Sequence, residues 1–206
     1  MAEAQVIKDQ AELIGPVVDN LRRMMGAARS AFNRHSRASL EEIKSHQAAL
    51  AQDLDKATKQ ATSTARVSEA EKSAVLRVQS VLNHLQLIGD NIGGLSDPIQ
   101  KKIKDSILFS DKAVFQTNYL FDFHTGMFRS ILDILTTDNA FLKKYMAQEA
   151  HNLIQACSNF ATEHEDRMIE GLCLPQAAPI FLTILDRMRA IGQHEVDIAS
   201  ILAKKG

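Results

Sequence analysis

Apolar residues recur along this chain at intervals of three and four, the spacing of one face of an α-helix. Val75, Val78, Leu82, Leu85, Gly89, Ile92 and Leu95 keep that rhythm, and so do Ile103, Ile107, Val114, Phe121, Phe128, Ile131 and Leu135. No sustained alternation of period two occurs, so strands are not expected. Chemical punctuation divides the pattern. Ser39-Leu40-Glu41-Glu42 and Ser68-Glu69-Ala70-Glu71 read as capping boxes, in which the serine oxygen accepts from a helical N–H and the glutamate reaches back. Asp97-Pro98 reads as an N-cap followed by proline at the first helical position. Thr137 or Asp138 can cap a further helix, and Pro175 and Pro179 separate the last two. Gly15-Pro16 can kink or restart the first, because proline lacks a helical N–H. The pattern predicts an all-α chain of six helices at about residues 3–35, 39–65, 68–95, 98–136, 138–169 and 176–203.

One phrase occurs twice. Leu85-Gln86-Leu87-Ile88-Gly89-Asp90-Asn91 returns 103 residues later as Met188-Arg189-Ala190-Ile191-Gly192-Gln193-His194, with Leu82 matched by Leu185. A glycine inside a helix costs about 1 kcal/mol relative to alanine. Two such glycines at equivalent places predict a close helix approach built twice. Short connections make sequential helices antiparallel neighbours. The expected architecture is a tandem repeat of two three-helix bundles, residues 1–96 and 97–206, forming one elongated domain.

A tandem of three-helix bundles whose third helix carries an Ile-Gly-Asp phrase resembles the PhoU family of phosphate-uptake regulators. The family phrase is commonly Leu-Glu-Arg-Ile-Gly-Asp-His-Ala, once per repeat. The first copy here keeps Leu85, Ile88, Gly89 and Asp90; the second keeps Ile191, Gly192 and His194. The resemblance implies a PhoU-like fold and a non-enzymatic regulatory adaptor that modulates phosphate transport or its signalling through protein contacts. The implied partner is a membrane phosphate transporter or its sensor kinase. The implied location is cytoplasmic, peripheral to the inner face of the membrane, and a homodimer is compatible with it.

In that family an acid, with an aspartate four residues on, helps to bind a surface metal cluster. One helical turn puts both carboxylates on the same face, and hard cations prefer such oxygens. Here Gln86 precedes Asp90, so one carboxylate is lost, and Arg189 precedes Gln193, where an arginine opposes a cation. The expectation is therefore no cofactor and no tight metal at the second repeat, with at most a weak divalent site near Asp90. Glu149 of the fifth helix is the kind of residue the family adds to such a site. The alternative function is a metal-binding helical bundle that uses the remaining surface carboxylates.

Composition narrows the field. The chain has 206 residues, 45% of them hydrophobic, which allows a real core. Lys and Arg number 24 against 25 Asp and Glu, for a net charge of -1, which argues against a dedicated nucleic-acid binder. Cys157 and Cys173 make no disulfide framework, and a reduced compartment is the default. The first residues lack the pattern of a signal peptide, and no apolar run approaches the ~20 residues of a membrane span. No phosphate-binding glycine loop, nucleophile elbow or zinc-protease spacing is present, so an enzyme is not expected.

The remaining polar candidates sit on helical faces. Asp90 shares a polar line with Asn83 and Gln86 and reads either as solvated surface or as a ligand. His124 and His164 fall on apolar stripes and read as satisfied core or rim residues. Glu195 also falls on such a stripe, which predicts an Arg or His partner on another helix, or a shallow exposed position. Cys157 reads as packing. The basic run Arg22, Arg23, Arg29, Arg34, His35 and Arg37 compensates the negative helix end, or docks an acidic partner or membrane surface.

Overall fold

The computed structural model describes residues 2–63 and 69–204. Six long helices account for most of them: α1 (Ala2–Arg34), α2 (Arg37–Ser63), α3 (Glu69–Gly93), then α5 (Asp111–Thr137), α6 (Ala140–Ile169) and α7 (Ala178–Ala203). A short α4 (Ser96–Lys104) follows α3, and a 3-10 turn at Pro175–Ala177 leads into α7. Among the described residues there is no strand, and no helix is long and apolar enough to cross a membrane. Helix α1 continues through Pro16.

The expected fourth helix is present in two pieces. Ser106 takes a positive φ of 50°, and the Ile107 N–H turns back to the Lys102 carbonyl at 3.0 Å, which closes α4. Ser110 then opens α5 by accepting from the Ala113 N–H. The apolar rhythm hides this break because Ile107 stays buried on the far side of it.

The caps also move. Ser36, not Ser39, starts α2: its Oγ accepts from the Ser39 N–H at 3.2 Å. Asn139 caps α6 by accepting from Phe141 and Leu142, while Asp138, at φ 50°, ends α5. Asp97-Pro98 lies inside the first turn of α4, whose N-cap is Leu95. The expected cap at Ser68 falls outside the described residues.

The offset of 103 residues extends well beyond the repeated phrase. It carries α1 onto α5, α2 onto α6 and α3 onto α7, with buried residues falling on buried residues. Val18 falls on Phe121, Met25 on Phe128, Ile43 on Met146, Leu50 on Leu153, Leu85 on Met188 and Ile88 on Ile191. Within each repeat the three long helices pack on one another, and the repeats meet where α1 touches α5 and α3 touches α7. Helix α4 packs on α1, α2 and α7.

Both repeated glycines permit the same approach. A Cβ on Gly89 would overlap the Cδ2 of Leu50, and one on Gly192 would lie 2.9 Å from the Cδ2 of Leu153, the residue equivalent to Leu50. The third helix of each repeat is thus seated against the second through a missing side chain.

Candidate functional site

The third helices of the two repeats also pack against each other, and the polar chemistry concentrates along that seam. Helices α3 and α7 run antiparallel. Arg77 Nη1 donates to the Lys204 carbonyl at 3.0 Å, His84 meets His194, and Arg187 Nη1 donates to Asn91 Oδ1 at 3.3 Å. Under the repeat offset His84 corresponds to Arg187 and Asn91 to His194. The two contacts therefore mark equivalent ends of an approximately two-fold seam.

At one end His84, His194 and Asp197 converge. The facing Nδ1 atoms of the histidines are 3.3 Å apart, and Asp197 Oδ2 stands 3.8 Å from His84 Nδ1. The other Asp197 oxygen accepts from Gln193 Nε2 at 3.3 Å. Among the described residues this is the one group of three His, Cys, Asp or Glu side chains whose ligating atoms lie close together, all within 4.8 Å. All three residues are half-buried. Desolvation, with His84 beside it, holds the His194 imidazole below its ordinary pKa against the pull of Asp197. At the equivalent end the chain places Arg187, Asn91 and Gly94. The Arg187 guanidinium lies over Gly94, where an added Cβ would come within 2.9 Å of its carbon.

The residues singled out from sequence lie elsewhere. Asp90 is exposed on α3 in the first repeat, and Glu149 is half-buried on α6 in the second, where it accepts from Asn152 at 3.2 Å. Neither belongs to the convergent group. Gln86, Arg189 and Gln193 are exposed like Asp90, and Arg189 pairs with Asp186 at 2.8 Å. His84 and Asp197 carried no local signal. Neither lies in the repeated phrase, and their meeting depends on how α3 packs on α7.

A buried pair in the second repeat departs from its counterparts in the first. His124 Nδ1 and Glu195 Oε1 are 2.9 Å apart, both side chains fully buried. Their equivalents are Leu21 and Ile92, also fully buried. Burial pushes the Glu195 carboxyl up, and His124 pulls it part of the way back by charge and hydrogen bond. The pairing expected for Glu195 is thus a histidine on α5.

His164, also buried, packs on Phe181 with ring centroids 4.7 Å apart, and its ring nitrogens find no hydrogen-bond partner among the described residues. Desolvation and Arg167 lower its pKa, against the pull of Glu165. It is a core histidine, as its stripe suggested, but not a satisfied one. Cys157 is buried, its thiol pushed up to about 12 by desolvation, which leaves it protonated and inert.

Part of the basic run is used within the fold. Arg29 grips Asp122 through both carboxylate oxygens, at 2.5 and 3.0 Å, and donates to Asn118, joining α1 to α5. Arg22 pairs with Asp19 at 3.1 Å.

No protein-family model and no curated protein matches the sequence. Among solved structures the chain is similar to the crystal structure of PhoU from Pseudomonas aeruginosa, with a TM-score of 0.83, 13% identity, and 96% of this chain and 95% of that chain covered. It is also similar to the phosphate transport system regulatory protein PhoU from Streptococcus pneumoniae, with a TM-score of 0.81, 15% identity, and 98% and 93% covered. At these identities the likeness is one of architecture, and the architecture of this chain is the PhoU-like helical fold.

Proposed function

We propose that this chain is a regulatory adaptor that modulates phosphate transport or its signalling through protein contacts. The supporting observation is the likeness in fold over nearly the whole of both chains to a phosphate transport system regulatory protein. A second PhoU shares it over more than nine-tenths of both chains, so the likeness does not rest on one partial match. On this reading the partner is a membrane phosphate transporter or its sensor kinase, met at the inner face of the membrane. Helical surface and shape carry the activity, with no bond made or broken.

Deletion of the gene in its host, followed by phosphate uptake and phosphate-starvation reporter assays in rich phosphate, tests the proposal. Raised uptake or reporter output, restored by the wild-type gene, is expected. Unchanged uptake and output in both rich and poor phosphate would remove the reading. The alternative is a metal-binding bundle built on surface carboxylates; among the described residues Asp90 and Glu149 lie outside the one group of three close ligating side chains.

A further inference from the structure

We propose that His84, His194 and Asp197 bind a single zinc-class divalent ion that bridges the two repeats. The two imidazoles present the same atom, Nδ1, to each other across the seam at 3.3 Å. Two nitrogens bound at about 2.0–2.1 Å to one tetrahedral ion lie about 3.3–3.4 Å apart. Asp197 Oδ2 stands 3.8 Å from His84 Nδ1, too far for a hydrogen bond and a small side-chain rotation from the tetrahedral spacing. Its other oxygen accepts from Gln193, the kind of outer contact that orients a ligating carboxylate. Without an ion, the facing nitrogens make at most one N–H···N hydrogen bond, and the Asp197 carboxylate stops short of bonding distance to His84. An ion satisfies all three groups at once.

The donor set selects the class of ion. Two imidazoles and one carboxylate suit zinc and its neighbours, whereas calcium and magnesium favour all-oxygen sites. Three protein ligands on a half-buried seam leave a coordination position for water. One ligand comes from the first repeat and two from the second, so the ion ties α3 to α7. The equivalent end already carries a cation of its own, the Arg187 guanidinium bonded to Asn91. One ion per chain is therefore expected. The site is separate from Asp90, and the inference does not depend on the regulatory proposal.

The test uses the purified full chain, stripped with a chelator and dialysed. Zinc is titrated against a chromophoric competitor, and cobalt(II) is added to a second sample for visible absorption. One zinc per chain is expected, with a cobalt spectrum of low coordination number and a zinc-dependent rise in Tm. His84→Ala and Asp197→Asn should each weaken zinc binding at least about tenfold and abolish the rise in Tm. Asp90→Asn and Glu149→Gln should bind as wild type does. If His84→Ala proves unfolded by circular dichroism, His84→Gln and Asp197→Asn carry the test. No zinc binding tighter than ~100 µM, binding unchanged in both seam variants, or binding lost in Asp90→Asn would overturn the assignment.

Discussion

The first repeat fills two core positions with Leu21 and Ile92; the second fills the equivalent positions with His124 paired to Glu195. Backbone, burial and neighbouring helices correspond, yet one solution is hydrocarbon and the other an acid–base pair. The seam shows the same contrast, with His84 and His194 at one end and Arg187 and Asn91 at the other. In each case the residues that differ between the repeats touch one another. A lone glutamate in place of Ile92 would strand a carboxyl in the core, at a cost of several kcal/mol. Glutamate together with histidine is tolerated. At these two places the repeats diverge by contacting pairs, whereas buried His164, with no hydrogen-bond partner among the described residues, stands where the first repeat has Ala61.

The largest test of that comparison is to break the buried pair. His124→Leu alone leaves Glu195 buried without its partner and should cost about 3–5 kcal/mol in a denaturant melt. His124→Leu with Glu195→Ile copies the first repeat and should recover most of that loss, or exceed wild type by about 1–4 kcal/mol. A double variant as unstable as the single one would show that the two cores are not interchangeable.

Next come the glycines, where the repeats agree. Gly89→Leu and Gly192→Leu should each destabilise by about 1–3 kcal/mol through overpacking against Leu50 and Leu153. Two melts indistinguishable from wild type would refute the close approach.

A third test reads a slope. Buried His164 has a folded-state pKa below the ordinary 6.5, so between those two values the unfolded chain binds more protons. The contribution is fully present above pH 6.5 and is lost as pH falls through 6.5 toward the folded value. His35 and His194 are displaced in the same direction. Glu195, displaced upward, acts with the opposite sign above its ordinary 4.5. His164→Ala installs the residue at the equivalent position, Ala61, and should flatten the loss of stability between pH 7.5 and 5.5. An unchanged slope would assign the effect to the other groups.

The smallest effect belongs to the exposed grip of Arg29 on Asp122. A double-mutant cycle with Arg29→Ala and Asp122→Ala should give a coupling of about 1 kcal/mol or less, weakened further by salt. Asp19, the equivalent of Asp122, pairs instead within its own helix, so Asp19→Ala should show no coupling to Arg29.

Periodicity made the six long helices legible, and the repeated glycine phrase exposed the duplication, because both leave regular marks on neighbouring residues. The break between α4 and α5 left no such mark. Ile103 and Ile107 keep the helical rhythm across it, and the decisive residue, Ser106, stops the helix through a backbone angle. Caps at Ser36 and Asn139 were lost to neighbouring residues of equal propensity.

The candidate site was the least legible part. His84 and His194 lie 110 positions apart and meet through the packing of one repeat on the other. The phrase drew attention to Asp90, which is exposed. Laying one repeat on the other position by position would have paired Ile92 with Glu195 and Leu21 with His124. That coincidence of two polar intruders was the available clue to the buried pair.

The seam between α3 and α7 joins two copies of one design within a single chain. Had the same surfaces met between two identical half-length chains, every substitution would have appeared at both ends at once. A histidine accepted at one end would have been imposed at the other. Fusion releases that constraint, because each codon is read into one place only. The molecule consequently has a front and a back: a binding surface laid along the seam meets imidazoles first in one direction and a guanidinium first in the other. An approximately symmetric scaffold thus presents different chemistry at its two ends.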